Sequence, residues 1–441
     1  MNTIRYAAVS IALSWLCGSP LSTANENATD ELWNHLRSAD QLVDVRDASV
    51  KFADAAETRT LRFQVTQAPT LQKTAWVAVP APAAGWQLGQ TKSVCVTAKN
   101  TGQSKTSVTL WVVGTSGWSA VGDAAELAAG QSQTLCCDLR DSFKDGTPRI
   151  DPNQIRQIRF MVQNVNTTSL EFRKLITQGS ADAFKPSAGR LSVPKLTNGN
   201  PAPGRRVRYP LAGAESDDLY CVVYLPTDWT PGASFPVIAE FPGNFYCHAG
   251  RCWSPGRPEQ CVIGYGATKG QGAIWISLPF VDRETNSVAE SGFGSDAGDD
   301  TVDYANRALD EICSRWGGDP DNVVLSGFSR GAIACGYIGL RNKTMAQRWK
   351  GFITCQHYDG SNWRQSNLPD AVVRAPRFAG QAIFQLDNSQ AKYQAVVDAT
   401  DPAVVWTWAQ SGLGDHDTAM FLDDRPCMKQ LRKWFDDLVG S

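Results

Sequence analysis

The sequence predicts a two-domain protein in which an antiparallel β-sandwich precedes an α/β domain with a doubly wound, mostly parallel sheet. Short runs with period-two alternation of apolar and polar residues fill residues 25–180, which favours a sandwich. Strand-like runs alternate with helical patterns over residues 205–441, which is typical of a parallel sheet with helices on both faces. A length of 441 residues also exceeds one ordinary core, so two domains are expected.

Composition and charge exclude several classes of protein. Hydrophobic residues make up 42% of the chain and charged residues 20%, which is typical of a globular protein and not of a disordered one. The formal net charge is -2, and no run of like charges indicates a nucleic acid or an anionic membrane surface as a partner.

The first 24 residues are typical of a secretory signal. Arg5 provides the positive flank, residues 6–16 form a short apolar core, and residues 22–24 are small enough for cleavage. The apolar core is too short to span a bilayer, and no later stretch is long and apolar enough either. We therefore expect a secreted or periplasmic protein with no membrane partner.

Cysteine usage agrees with export. The chain has 12 cysteines, of which Cys17 leaves with the signal, so an odd number remains. In an oxidising compartment some of them should pair. Cys247, Cys252 and Cys261 lie in one loop and are the best local candidates for a disulfide. A metal site built from Cys247, His248 and Cys252 is the weaker interpretation, and no metal is expected.

Residues 25–180 contain the predicted sandwich. Its strand-like runs are 61–65, 93–96, 108–113, 158–162 and 170–172. The order of features resembles the jelly-roll, galactose-binding-like modules of secreted carbohydrate-active enzymes, and this resemblance implies a carbohydrate-binding role. The tryptophans available for stacking on a sugar ring are Trp76, Trp86, Trp111 and Trp118. Burial in the core is the favoured interpretation of these residues, because tryptophan is largely buried on average.

Residues 181–204 are rich in Pro, Gly and Asn and are predicted to form a linker. The α/β domain follows. Its predicted strands are 219–225, 237–241, 273–278, 323–325, 351–354 and 382–386. One helix is predicted over residues 300–316, and a last helix opens near Pro426, a residue favoured at the first helical position. Open sheets of this kind hold their ligand site at the carboxyl ends of the strands.

Residues 323–332 read Val-Val-Leu-Ser-Gly-Phe-Ser-Arg-Gly-Ala, which indicates a strand, a tight turn and a helix around Gly-x-Ser-x-Gly. Glycines at 327 and 331 remove the Cβ atoms that would clash where strand and helix nearly touch. The turn lifts the Ser329 hydroxyl to a helix N-terminus, whose amides face an anionic intermediate. We predict that Ser329 is a nucleophile. An idle serine in a small-residue turn is the alternative.

A serine hydroxyl needs a base, usually a histidine oriented by a carboxylate. The chain has only 4 histidines. His35 belongs to the first domain, His248 precedes the nucleophile, and His357 follows the next strand. His416 lies in a glycine-rich loop before the last helix. Because the order Ser…Asp…His accompanies this strand–turn–helix arrangement, His416 leaves room for an acid and is the predicted base.

Residues 205–441 resemble an α/β-hydrolase. They are most similar to secreted esterases of the feruloyl, acetylxylan and polyhydroxybutyrate depolymerase kind and to prolyl-oligopeptidase-like domains, in which an Asp-Pro-Asp turn such as residues 319–321 leads into the nucleophile strand. The Gly-x-Ser-Arg pattern is also similar to glucuronoyl esterases. In that family Cys precedes the serine, whereas this chain has Phe328, so the substrate of that family does not transfer.

In this arrangement the triad acid follows a strand after the nucleophile. Asp387, at the end of the predicted strand 382–386, is the preferred acid, and Asp359, one strand earlier, is the alternative. Asp415 and Asp417 are too close in sequence to His416 for easy support of its ring.

The developing oxyanion needs two backbone donors. The amide of Arg330 is one predicted donor, because it directly follows the nucleophile. The other should come from the loop after strand 237–241, from Asn244 or from Phe245, and Asn244 is preferred. The Arg330 side chain is expected to be a surface or ion-paired group, with positive charge over a carboxylate-bearing substrate as the alternative.

The sequence therefore predicts an exported serine hydrolase that cleaves an ester through an acyl-enzyme, with neither metal nor organic cofactor. Its partner would be a small-molecule or polysaccharide-linked ester, and carbohydrate-linked esters are favoured because of the leading sandwich. A prolyl-oligopeptidase-like serine peptidase and a catalytically silent carbohydrate-binding protein are the alternatives.

Overall fold

The computed structural model describes residues 31–55, 58–66, 69, 71, 74–163, 167–187, 189–214, 216–248, 251–252, 256–378 and 380–440. The predicted secretory signal at residues 1–24 lies outside this part of the chain. Among the helices of the described residues, none is both long enough and apolar enough to cross a bilayer.

The first part of the described chain is built from strands. They are β1 (Val43–Arg46), β2 (Ala48–Ala55), β3 (Thr58–Val65), β4 (Thr74–Pro80), β5 (Thr91–Asn100), β6 (Thr106–Gly114), β7 (Ala120–Leu127), β8 (Ser132–Asp138), β9 (Ile155–Gln163) and β10 (Thr168–Ser180).

The second part mixes strands and helices. Its strands are β11 (Leu196–Thr197), β12 (Arg206–Tyr209), β13 (Cys221–Tyr224), β14 (Phe235–Phe241), β15 (Cys247–His248), β16 (Arg251–Cys252), β17 (Ile274–Ser277), β18 (Val281–Asp282), β19 (Ser287–Val288), β20 (Gly318–Phe328), β21 (Gly351–Cys355), β22 (Ala382–Leu386) and β23 (Val405–Ala409). Its helices are α1 (Ile263–Thr268), α2 (Asp299–Trp316), α3 (Arg330–Tyr337), α4 (Lys343–Ala346), α5 (Leu368–Arg374), α6 (Gln390–Ala399) and α7 (Pro426–Val439). Short 3-10 helices lie at Ala39–Gln41, Pro258–Gln260, Asp296–Gly298, Ala375–Arg377 and Ala419–Leu422.

Strands β1–β10 form two five-stranded sheets, in the orders β1-β4-β9-β6-β7 and β2-β3-β10-β5-β8. All their strand pairs are antiparallel. The alternating apolar residues of both sheets enclose one core. Phe160 of β9 and Phe172 of β10, for example, meet across it with ring centroids 4.5 Å apart. The period-two pattern therefore has its cause in burial between two sheets.

The second part is organised by a nine-stranded sheet in the order β11-β12-β13-β17-β14-β20-β21-β22-β23. The run from β17 to β23 is parallel, and β12, β13 and β17 pair antiparallel. Leu196–Thr197, inside the predicted linker, adds the short edge strand β11. The long strand β20, which precedes Ser329, lies near the middle between β14 and β21.

Helices cover both faces of this sheet. In β14, Val237 and Ala239 belong to the core shared with α2 and α3, whereas Ile238 belongs to the core shared with α1 and α7. Helix α2 buries the predicted apolar stripe, formed by Val302, Ala305, Leu309 and Ile312. It ends at Gly317, whose φ of +74° is the left-handed conformation that glycine adopts most readily. Two-sided burial explains why these strands read as continuous apolar runs.

Aromatic residues fill the seam between the two parts. Trp76, Trp111, Trp118 and Met161 of the sandwich form one buried cluster with Phe245. Trp76 stacks on Phe245 with ring centroids 5.4 Å apart. The four tryptophans considered for sugar stacking, which include Trp86, are each at most 7% exposed. They belong to the interior, as the favoured interpretation held.

Among the described cysteines, the structure contains a disulfide between Cys95 and Cys136, which joins β5 to β8. Cys261 is a buried free thiol, so the expectation that it pairs locally was wrong. Its position against the core below the sheet removes it from the loop surface. Cys247 and Cys252 occupy directly opposed positions in the β15–β16 ladder.

Candidate active site

Ser329 lies at a sharp turn between β20 and α3. Its backbone has a φ of +54° and a ψ of −115°, a conformation that costs a non-glycine residue free energy and is retained mainly at functional sites. The turn is held by the Ser329 amide, which donates to the Cys355 carbonyl at 3.0 Å, and by the Ser329 carbonyl, which accepts from Ile333 at 3.1 Å. The side chain therefore stands at the carboxyl end of the central strand.

The two glycines of the motif permit a close approach of backbone to backbone. A Cβ atom at Gly327 would lie 2.1 Å from the Gly331 carbonyl carbon, and one at Gly331 would lie 2.0 Å from the Phe241 carbonyl oxygen. Both distances are far below van der Waals contact, so α3 can pack onto β20 and β14 only with glycine at these positions. The steric argument made from the sequence applies at both sites.

His416 meets Ser329 directly. Its Nε2 atom lies 2.9 Å from the Ser329 Oγ atom, although the two residues are 87 positions apart in the chain. The imidazole packs against Phe328, with ring centroids 4.6 Å apart, and its ring centroid lies 5.4 Å from that of His357. The predicted serine–histidine pair is thus assembled in a hydrogen-bonding arrangement.

Burial sets the protonation of this pair of histidines. It lowers the pKa of His416 to about 4, with a further lowering from nearby His357 and an opposing contribution from Asp415. Burial also lowers the pKa of His357 to about 4, and Lys392 acts in the same direction. Both imidazoles are consequently neutral at neutral pH, and a neutral imidazole can accept a proton from a hydroxyl.

Asp387 follows β22 with a φ of +55° and is tied to the loop that carries His416. Its Oδ1 accepts from the Ser411 amide at 2.6 Å and its Oδ2 from the Ser411 hydroxyl at 2.5 Å. The side-chain amide of Gln356 (Nε2) donates to Asp387 Oδ2 at 3.4 Å and to the Asp415 carbonyl at 2.7 Å. Among the described residues, the hydrogen bonds of Asp387 therefore go to Ser411 and Gln356 and not to the His416 ring.

Asp359, the alternative acid, is bound elsewhere. Arg374 donates to both of its carboxylate oxygens, at 2.7 and 2.8 Å, and Ser366 donates to Oδ1 at 2.8 Å. The carboxylate is 1% exposed and lies against α3, where Gly336 leaves room for it. Within the described part of the chain, the carboxylate accepts from Arg374, Ser366 and Gly360 and not from the His416 ring.

The loop after β14 contains the predicted oxyanion donor. The Phe245 amide donates to the Glu290 carbonyl at 2.8 Å, so it is already used. The Asn244 side chain is fixed as well, because its Oδ1 accepts from the Gly292 amide at 3.1 Å. Of the two amides considered from the sequence, that of Asn244 is therefore the better candidate, beside the amide of Arg330 at the start of α3.

The Arg330 side chain corrects the prediction of a surface or ion-paired group. It is 1% exposed and donates to four backbone carbonyls, those of Ala289, Gly292, Gly243 and Gly256, at 2.8–3.0 Å. The guanidinium also lies 4.0 Å from the ring centroid of Phe280. Burial lowers its pKa to about 9. Arg330 therefore ties together the loops around the serine.

A cavity of about 450 Å³ opens above Ser329. Its walls are formed by Asn244, Tyr246, Phe328, Arg330, Ile333, His357, Ser361, Asn362, Trp363 and His416. Most of the exposed area of this wall is apolar, although polar side chains such as Asn244, Ser361 and Asn362 also line it. The cavity offers room for an organic substrate beside the Ser329 hydroxyl.

Sequence reasoning missed several residues of the site. Gln356 and Ser411 follow β21 and β23, so the rule that sites lie at the carboxyl ends of parallel strands would have indicated them. The strand β23 was itself missed, since residues 405–409 read Val-Trp-Thr-Trp-Ala and are partly exposed. Asp415, set aside for its closeness to His416, is the carboxylate that raises the pKa of His416.

No protein-family model and no curated protein matches this sequence. Solved structures with a partial likeness include fungal esterases from Rhizomucor miehei, at 11% identity over 57% of this chain and 86% of theirs, with a TM-score of 0.36. An S-formylglutathione hydrolase from Agrobacterium tumefaciens shows 15% identity over 53% of this chain and 95% of its own, with a TM-score of 0.36. The carboxylesterase EstE1 from a metagenomic library shows 12% identity over 54% of this chain and 88% of its own, with a TM-score of 0.34. Likenesses this low carry no argument about function.

Proposed function

We propose that this chain is a serine hydrolase of the α/β-hydrolase kind that cleaves carboxylic esters through an acyl-enzyme. The observation that carries the proposal is the 2.9 Å contact between Ser329 Oγ and His416 Nε2 at a strained turn on the central strand. A nucleophile within hydrogen-bond reach of a neutral base is the geometry that covalent catalysis requires. The same contact argues against a catalytically silent binding protein.

In the proposed mechanism His416 takes the proton of Ser329 as the hydroxyl attacks the ester carbonyl. The negative charge that develops on the carbonyl oxygen is stabilised by the amides of Arg330 and Asn244. His416 then returns the proton to the departing alcohol, and a water molecule activated by the same ring releases the acid. In this cycle His416 is the residue that accepts and returns the proton in each step.

Asp387 is our proposed triad acid. It directly follows β22 and accepts two hydrogen bonds from Ser411, at 2.6 and 2.5 Å, in the loop that carries His416. Asp415, the nearby competitor, directly precedes His416 in the chain, and its carboxylate oxygens accept from the His416 backbone amide and from Arg149. Catalytic hydrogen bonds are often long before substrate binds and shorten in the complex, so the ligand-free arrangement is compatible with this role.

Replacing Asp387 by Asn is expected to lower kcat by about 10³–10⁴ because the imidazolium loses its counter-charge and its preferred tautomer. Asp415→Asn, which keeps a similar side-chain shape and an acceptor for the His416 amide, is the comparison variant and should lower kcat by only about ten- to a hundredfold. Steady-state hydrolysis of p-nitrophenyl acetate measures both variants. The reverse ranking would assign the acid role to Asp415.

The lowered pKa of His416, about 4, predicts the acid limb of the pH profile. Below that pH the ring is an imidazolium and cannot take the serine proton, so kcat/KM should rise through about pH 4 and be level by pH 6. A histidine with the ordinary pKa of 6.5 would place the midpoint near pH 6.5. The measurement is kcat/KM from pH 3.5 to 8.

Asp417 is the control for this profile, since burial raises its pKa to about 6. If Asp417 were the group observed, Asp417→Asn would remove the limb. We expect the limb to stay near pH 4 in that variant. A wild-type midpoint at or above pH 6 would contradict the assignment to His416.

Among esters we propose carbohydrate-linked ones, by analogy of architecture. Eight strands of the first part follow the order β3-β10-β5-β8 facing β4-β9-β6-β7, which supports the interpretation as a jelly-roll-like sandwich. Export is proposed from the signal-like first 24 residues, and the disulfide between Cys95 and Cys136 is compatible with an oxidising compartment.

The proposal is tested with a fluorophosphonate probe. The wild-type protein should be labelled at a single serine, and peptide mapping should identify it as Ser329. A panel of short esters, acylated sugars and proline-containing peptides then separates the esterase from the peptidase. Absence of labelling, with the protein shown to be folded by circular dichroism, would end the case for a serine hydrolase.

A further inference from the structure

The loop between β8 and β9 of the sandwich, residues 139–154, reaches across to the loop of the other part that carries His416, residues 410–418. We call these the sandwich loop and the histidine loop. Arg425, which donates to the Ser411 carbonyl at 2.9 Å, also pairs with Asp145 at 3.2 Å and donates to Thr147 at 3.1 Å. The histidine loop is therefore attached to the sandwich and not only to its own sheet.

Arg149 contacts Asp415, the residue that precedes the proposed base. Its Nη2 atom donates to Asp415 Oδ2 at 2.8 Å, while its Nε atom lies 3.1 Å from Asp141 Oδ2. The guanidinium lies 4.2 Å from the ring centroid of Phe143. Asp141 and Phe143 thus fix the direction in which Arg149 points, and both belong to the sandwich loop.

Asp415 connects Arg149 to the backbone of His416. Its Oδ1 accepts from the His416 amide at 2.8 Å, and its carbonyl accepts from Gln356 at 2.7 Å. One carboxylate therefore holds the backbone on which the imidazole stands, with one oxygen bonded to that backbone and the other to Arg149. Few residues separate the sandwich from the Ser329 hydroxyl.

We propose that Arg149 is a positioning residue for His416, acting through Asp415, so that the sandwich completes the active site of the α/β domain. This inference rests on the proposed function, in which His416 is the base. It gives the sandwich a role in turnover that is separate from any binding of carbohydrate. Turnover should respond to the loss of Arg149 more strongly than stability does, because partly exposed ion pairs contribute little to stability.

The charges around His416 give the proposal a second readout. Asp415 and His357 act on the ring directly. The other charged groups around it are Asp417 in the same loop, Asp387 beyond Gln356, Lys392 near His357, and Arg149 from the sandwich. Asp415 raises the pKa of His416, and Arg149 offsets that charge. Removing Arg149 should therefore move the acid limb to higher pH, whereas removing the charge of Asp415 should move it to lower pH.

The test compares Arg149→Gln, Arg149→Lys and Asp415→Asn in the full chain with Arg173→Gln as the matched control. Arg173 belongs to the sandwich and forms an ion pair with Glu171 at 2.6 Å. Its side chain is 49% exposed, so this pair lies on the surface. The measurements are kcat and KM for p-nitrophenyl acetate, the rate of fluorophosphonate labelling from pH 3.5 to 8, and Tm. The ring resonances of the 4 histidines report the His416 pKa directly by NMR.

We expect Arg149→Gln to lower kcat by about ten- to a hundredfold with KM nearly unchanged, while Tm falls by less than about 2 °C. Arg149→Lys should keep the wild-type limb and recover part of the rate. Opposite displacements of the limb in Arg149→Gln and Asp415→Asn would distinguish positioning from general support of the fold.

Equal kcat values in Arg149→Gln and Arg173→Gln would overturn the inference. An acid limb at the wild-type pH in both Arg149→Gln and Asp415→Asn would overturn it as well. In either case, labelling of the wild-type protein would still support the proposed function. A wild type that the probe does not label overturns the proposed function and this inference with it.

Discussion

Replacing Ser329 by alanine is expected to lower kcat for ester hydrolysis by about 10⁶, to the level left by binding and oxyanion stabilisation alone. Without the hydroxyl, His416 has no proton to take from a nucleophile, and no acyl-enzyme forms. Alanine at φ +54° is strained in the same way as serine, so the turn itself should persist. Stopped assays with p-nitrophenyl acetate and intact-mass detection of the acyl-enzyme measure the effect.

The matched control is Ser326→Ala, three positions earlier on β20. Ser326 is buried and donates to the Ala239 carbonyl at 3.1 Å, away from the cavity, so its loss tests whether disturbing this strand is enough to lower turnover. We expect a change in kcat of less than about threefold, because one hydrogen bond of about 1 kcal/mol is lost. The double variant Ser329→Ala with His416→Gln should be no slower than Ser329→Ala alone, since the two residues act as a unit. Additive losses would contradict that view.

Replacing Arg330 by methionine is expected to lower the free energy of unfolding by at least about 4 kcal/mol. Four carbonyls lose their donor at once, and each buried acceptor left without a partner costs about 1–3 kcal/mol. Because Gly243 is one of the four, the loop with the proposed oxyanion amide of Asn244 should loosen as well. Urea unfolding followed by circular dichroism measures the first effect, and kcat at low temperature the second.

Arg330→Lys retains the charge but offers three donors on one nitrogen, so an intermediate loss of stability is expected. Arg315→Met is the matched control, because Arg315 is exposed and pairs with Glu311 one helical turn away. Its loss should change the free energy of unfolding by less than about 1 kcal/mol. Arg330→Met with the stability of Arg315→Met would show that the four carbonyls find other partners.

The sequence pattern predicted Ser329 and His416 as a pair, and the structure brings these two side chains within hydrogen-bonding distance. Gly327 and Gly331 are required because a Cβ atom at Gly327 would lie 2.1 Å, and one at Gly331 2.0 Å, from a neighbouring backbone atom. A Gly-x-Ser-x-Gly turn between a strand and a helix expresses that requirement directly. His416 followed from chain order and from the small number of histidines. The nearly continuous apolar run in β14 likewise expresses a sheet that is buried on both faces.

Long-range contacts were not readable in the same way. The environment of Arg330 is made by carbonyls at positions 243, 256, 289 and 292, and nothing local marks an arginine that will be buried among them. The contact between Arg149 and Asp415 joins residues 266 positions apart. The direction of the Asp387 carboxylate depends on Ser411, which follows a strand too exposed to be recognised from its pattern.

The stacked pair Trp76 and Phe245 has a consequence for engineering. If the chain were cut between residues 181 and 204, the second half would expose the Phe245 ring, which is next to the proposed oxyanion donor Asn244. The sandwich half would expose the indoles of Trp76, Trp111 and Trp118. Replacing the sandwich by an unrelated carbohydrate-binding module would therefore require the same three tryptophans on the surface of the new module. The proposed role of Arg149 would make the two halves one catalytic unit and not an enzyme with an accessory.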